Sequence, residues 1–188
     1  MRLFLLLTTL WWYMIGSIGL AAEPRTLTYR DVMIGDRHFL GTLASKDADR
    51  TQLWPVFAPI SRSRDWHIQP KGDKWLIGTT ATVPGEKRFF LSAIKKAGPH
   101  GESLIVRESA DETCLWEIEF EGNVKNPADH SDLFGRVRAT VGDFRGHFLA
   151  LGEPFTLMVE GVEKEYTSVM LRREKSEITR IRFKLDGK

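Results

Sequence analysis

Val141-Gly142-Asp143-Phe144-Arg145-Gly146-His147-Phe148-Leu149-Ala150 decides the fold, because the same ordered features occur twice more in the chain. The earlier copies are Ile34-Gly35-Asp36-Arg37-His38-Phe39-Leu40-Gly41 and Val83-Pro84-Gly85-Glu86-Lys87-Arg88-Phe89-Phe90-Leu91-Ser92. Each has a β-branched residue, a Gly followed by an acid, a basic residue, then Phe-Leu and a small residue. Physically this is a strand end, a Gly-containing turn and a returning strand. A unit that returns at a fixed interval is best sought before local structure, since the interval sets the architecture.

The interval is regular. Leu40 to Leu91 is 51 residues, and Leu91 to Leu149 is 58. Trp66-His67-Ile68 follows Leu40 by 26 residues, and Trp116-Glu117-Ile118 follows Leu91 by 25. Leu104 through Gly122 aligns without gaps on Val169 through Gly187, apolar on apolar, each ending in an acid-Gly pair. The longer second interval is accounted for by the Asn-, Pro- and Asp-rich stretch from Asn123 to Phe134, which reads as a loop.

Strict alternation in Trp116-Glu117-Ile118-Glu119-Phe120 and Ile181-Arg182-Phe183-Lys184-Leu185 marks strands with one buried and one wet face. Helical periodicity is weak beyond the first twenty residues, so the expected class is all-β. Four strands are expected around Phe39, Val56, Trp66 and Leu76, and four around Phe90, Ile105, Trp116 and Val137. Three follow around Phe148, Leu171 and Phe183, and Leu27 to Ile34 supplies the twelfth. The expected units are approximately 35–82, 83–140 and 141–188, with 27–34 completing the third. Phe39, Phe90 and Phe148, the three leucines after them, and Trp66, Trp116 and Ile181 are the expected core.

Three four-strand units of about fifty residues resemble a β-trefoil, and the Gly-turn-aromatic-Leu-small start is similar to fascin-like trefoil units. Ricin-type sugar-binding trefoils carry a Gln-x-Trp element in each unit. Here Arg64-Asp65 and Cys114-Leu115 precede the tryptophans, and Ile181 stands in the third unit. Kunitz-type trefoil inhibitors rely on disulfides, which one cysteine cannot form.

The chain has 188 residues, 42% hydrophobic and 28% charged, with 27 basic against 25 acidic residues. A formal charge of +2 supplies no polyelectrolyte case for nucleic acid or an anionic membrane. Leu3 to Leu20 is apolar behind Arg2 and ends in Ala21-Ala22-Glu23-Pro24, the pattern of a secretory signal peptide cleaved after Ala21. A retained membrane anchor is the competing reading of this segment, which is near the minimum length for a span. Removing 21 of the 188 residues leaves 167 as one domain, 22–188, in the periplasm or outside the cell. Cys114, between Thr113 and Leu115-Trp116, reads as a buried, unreactive thiol.

The sequence has no His-x-x-x-His pair, no Gly-x-Ser-x-Gly elbow and no phosphate-binding Gly-Lys-Ser/Thr loop. No cofactor is expected, and a non-enzymatic binding module is the leading expectation. Its partner would be a glycan or an extracellular protein. Trp54 and Trp75, with Arg64 and Lys74 nearby in sequence, are the candidate ligand contacts, since aromatic faces beside cations stack on sugars or grip peptides. Plugging the ends of the fold is the alternative role for both tryptophans. Asp129, His130 and Asp132, with Asn123 and Asn126, form a weak metal candidate that lacks EF-hand spacing. Arg172, Arg173, Lys175, Arg180, Arg182 and Lys184 read as a second basic surface or simply a wet strand face. The alternative functions are a structural or interaction component of an envelope or matrix and, after it, a hydrolase or metal enzyme built in the loops. Mass spectrometry of the exported protein is expected to find Ala22 at its N-terminus, and an intact Met1 would overturn the signal-peptide reading.

Overall fold

The computed structural model describes residues 27–35, 37–47, 50–59, 66–79, 87–98, 101–125 and 130–185. Within them the chain is all-β: twelve strands in one antiparallel sheet, with three single-turn 3-10 segments and no α-helix. The strands are β1 (Leu27–Ile34), β2 (His38–Asp47), β3 (Arg50–Ala58), β4 (Trp66–Lys71), β5 (Lys74–Thr79) and β6 (Phe90–Gly98). They continue as β7 (Gly101–Arg107), β8 (Leu115–Phe120), β9 (Asp132–Ala139), β10 (Phe148–Val159), β11 (Val162–Arg172) and β12 (Ile181–Leu185). Every strand position expected from the sequence carries a strand.

Pairing runs in a ring. β1 pairs with β4, β4 with β5, β5 with β8, β8 with β9, β9 with β12, and β12 returns to β1. The other six strands form the hairpins β2–β3, β6–β7 and β10–β11. Each hairpin joins the ring through the strand before it, at Ile34↔His38, Gly78↔Phe90 and Arg138↔Phe148. Two hairpins also meet: Thr167 and Ser168 of β11 pair with Phe57 and Val56 of β3.

The turns follow from local chemistry. Gly72 sits at φ 63° in the two-residue turn between β4 and β5, a conformation that costs glycine nothing. The β10–β11 turn needs two positive-φ residues, and Glu160 (φ 53°) takes the first of them beside Gly161.

One core fills the ring and reaches the hairpins. Leu40, Leu91 and Leu149 are buried in it with Trp66, Trp116 and Ile181. Side chains of this size are worth roughly 1.5–3 kcal/mol each on burial. Trp116 also donates its indole N–H to the Leu91 carbonyl at 3.0 Å, satisfying the one polar atom it buries. The preceding phenylalanines behave differently: Phe148 is buried, but Phe39 and Phe90 are only half-buried. Successive strand residues face opposite ways, so a Phe-Leu pair that commits Leu to the core turns Phe toward the other face.

The closest backbone approach is between β8 and β9. Gly135 lies opposite Phe120, and a Cβ there would stand 2.9 Å from the Glu119 carbonyl oxygen. That oxygen is held by the sheet and cannot retreat cheaply. Gly135→Ala is therefore expected to cost about 1–3 kcal/mol in chemical denaturation. Gly41→Ala, whose Cβ meets nothing nearer than 4.0 Å, is expected to leave stability unchanged or raise it. Equal midpoints for the two variants would refute the close approach.

Candidate functional site

The singled-out residues that are described lie on separate elements. Trp54 lies on β3 opposite Leu43, 7% exposed, and its indole N–H has no partner among the described residues. Trp75 lies on β5, paired with Trp116 and packed edge-on against Phe120 at 5.8 Å, which leaves it half-buried. β3 and β5 share no pairing among the described residues. Lys74 gives its charge to Glu117 at 2.6 Å and Asp73 at 3.3 Å. Arg64 falls outside the described residues, as do Asn126 and Asp129. His130 is exposed, and Asp132 receives Arg182 on both carboxylate oxygens. Among the described residues no three His, Cys, Asp or Glu side chains cluster to hold a metal. Cys114 is fully buried, and burial pushes its thiol pKa up, away from the reactive thiolate.

Half of the second basic surface is matched by acids: Lys175, Arg180 and Arg182 have carboxylate partners, while Arg172, Arg173 and Lys184 are exposed without an ion pair among the described residues. β8 turns Glu117 and Glu119 outward beside the basic residues of β9, and Glu121 follows just beyond its end. Glu117 binds Lys74 and Arg138, and Glu119 binds Lys175 and Arg138. Glu121 takes Arg136 at 3.0 Å and Arg180 at 2.8 Å, while Asp132 takes Arg182 at 2.7 Å. Hydrogen bonds from Lys74 and Arg138 hold the Glu117 carboxyl below its usual range. Arg180 does the same for Glu121, and its own pKa is raised in return. This face is a ladder of matched charges.

A cleft of about 440 Å³ opens beside that ladder. One wall is the β1–β2 turn with Ile34, Gly35, Arg37 and His38; the other is Glu177, Ile178, Arg180 and Arg182. Phe134 of β9 and Leu151 of β10 complete it. The turn Glu177–Thr179 is built by a capping box: Thr179 Oγ1 accepts from the Ser176 N–H at 3.0 Å and donates to the Ser176 carbonyl at 2.8 Å. Arg180 stands over Phe134, its guanidinium carbon 4.0 Å from the ring centre, with that of Arg182 at 5.9 Å. Bidentate pairing to Glu121 and Asp132 fixes both guanidiniums from behind. Arg37 is exposed and has no ion-pair partner among the described residues. No local pattern announces this cleft, because its walls come from opposite ends of the chain. The one sequence signal is Arg37-His38 inside the first copy of the recurring segment.

No family model matches the sequence, and no curated protein matches it.

His67 is a buried titratable group that works against stability. It is 3% exposed, and neither ring nitrogen has a hydrogen-bond partner among the described residues. Burial, with Arg88 adding to it, lowers its pKa below the ordinary 6.5. The unfolded chain then binds this proton more readily, so stability falls as pH drops below 6.5 toward the folded value. Glu117, Glu121 and Asp111 are also lowered, so their contribution is complete above the ordinary carboxylate range and lost below it. Thermal melts are expected to show a plateau above about pH 7 and two separate declines on acidification. His67→Leu is expected to remove the upper decline; a variant that keeps it would refute the assignment.

Proposed function

We propose that the chain is a β-trefoil serving as an exported, non-enzymatic binding module that recognises a glycan or protein through its loops. The observation that carries the reading is the pairing pattern: six strands in a closed ring, with a hairpin inserted after every second ring strand. The assigned units are approximately 35–82, 83–140 and 141–188, with β1 completing the third. Further support comes from the last two units. The 3-10 turns Glu112–Cys114 and Glu177–Thr179 stand at the offset that aligns Trp116 with Ile181. The hairpins β6–β7 and β10–β11 both carry an irregularity just after their Phe-Leu pair.

A closed ring holds its turns on a rigid frame, which is the usual division of labour between scaffold and binding loops. In this reading Trp54 and Lys74 support the frame, the one buried and the other ion-paired. Trp75 remains half at the surface, and the cleft beside Arg37 is the concave feature suited to a small ligand.

The second reading is an envelope or matrix component that holds another protein. It is favoured by the apolar notch of about 160 Å³ between two hairpins, lined by Leu43, Val56, Val159 and Tyr166. Met158 and Val162, 69% and 58% exposed, lie at the end of the β10–β11 hairpin. A glycan array probed with the exported protein separates the two. Saccharide binding weakened by Trp75→Ala or Arg37→Gln is the expected result. A blank array would overturn glycan recognition and leave the interaction reading.

A further inference from the structure

We propose that the cleft between the β1–β2 turn and the Glu177–Thr179 turn binds one carboxylate-bearing sugar residue, a hexuronate, with Arg37 and His38 as its contacts. The inference rests on the binding-module reading and names the ligand class of its concave site.

The lining sets the chemistry. Among the described lining residues Arg37, His38, Arg180 and Arg182 stand with one carboxylate, Glu177; Arg180 and Arg182 are already paired with Glu121 and Asp132, which leaves Arg37 and His38 as the donors open to a ligand. A ligand completing this set must bring acceptors. Arg180 and Arg182 are held in place by Glu121 and Asp132 and by the ring of Phe134. They form a prepositioned wall that loses little freedom on binding. Arg37 is the cation of the lining left without an acid among the described residues, and His38 is beside it. A guanidinium with its donors unspent is the side chain best matched to a carboxylate.

Charge balance selects a single carboxylate over a polyanion. Across the neighbouring face Lys74, Arg136, Arg138, Lys175, Arg180 and Arg182 all have carboxylate partners. A heavily sulfated polymer needs a run of unmatched cations and a strong positive field, and these six paired cations offer neither. Close to Arg37 a lone carboxylate can still form a short charge-assisted pair.

The rest of the cleft suits a sugar ring. Leu151 and Ile178, both partly exposed, give an apolar patch for the C–H face of a pyranose, and Glu177 can accept from a hydroxyl. The volume, about 440 Å³, is within the range of small-ligand sites.

Titration calorimetry of the exported protein tests the proposal with D-glucuronate, D-glucose and a tetraglucuronate. Glucuronate is expected to bind at least about tenfold more tightly than glucose, the loss expected for one charge-assisted hydrogen bond. Arg37→Gln is expected to reduce glucuronate affinity by about tenfold or more, with an unchanged melting temperature, and Arg37→Lys to restore part of it. Equal affinities of monomer and tetramer uphold a free-sugar ligand, and tighter binding of the tetramer upholds a polymer-borne one. Equal binding of glucuronate and glucose, or no effect of Arg37→Gln, would overturn the cleft assignment. If saccharides still bind on the array in that case, the binding-module reading stands without it. If the array is blank as well, the glycan reading falls too.

Discussion

Everything in this fold depends on the last strand finding the first. β12 pairs with β1 along Ile34↔Ile181, Val32↔Phe183 and Tyr29↔Leu185, and on its other edge with β9. Until that seam forms, the ring is an open ribbon with two unpaired edges, and Ile181 and Phe183 have no enclosed core to enter. Bringing together segments about 150 residues apart costs chain entropy that only the completed core returns. The reward is a ring whose six strands are each paired on both edges; among the described residues β7, outside the ring, pairs only with β6 and keeps one free edge. With one cysteine in the chain and that one buried, no intramolecular disulfide shares this task. Side-chain packing across the seam holds it.

The seam explains why the outer face of β8, β9 and β12 is so densely ion-paired. A ring strand must present a wet face between two neighbours, and like charges side by side on adjacent strands would oppose closure. Here acids on β8 alternate with basic residues on β9 and before β12, so pairing energy and register reinforce one another. Each exposed pair is worth little alone, but a network fixes register against a one-residue slip that would turn the core outward.

Strand positions were legible in the sequence because period-2 alternation and Gly turns act within a few residues. Trp116-Glu117-Ile118-Glu119-Phe120 declares its wet face without reference to any other strand. The all-β class follows from the same local signals. Partner identity does not. Nothing near Arg180 or Arg182 indicates that Glu121 and Asp132 will meet them, so an ion-paired ladder reads from one strand as a basic surface. Trp54 shows the same limit: an exposed aromatic ring would suit a ligand contact, while in the fold it lies opposite Leu43 and is 7% exposed. The sequence likewise separates Arg37 from Arg180 by most of the chain, so a cleft they share is visible only after closure.

The position of that cleft has a thermodynamic consequence. Gly35 follows Ile34 and Arg180 precedes Ile181, and Ile34 and Ile181 face each other at the end of the seam. One wall therefore belongs to the first strand and its turn, and the other to the approach to the last. A ligand held between them binds only when the seam is closed, so its binding free energy adds directly to the stability of the ring. The unfolded or half-closed chain holds neither wall in place and gains nothing from the ligand. Recognition at this point of the molecule is thereby coupled to the one contact on which the rest of the structure depends, and ligand binding and fold closure become a single equilibrium.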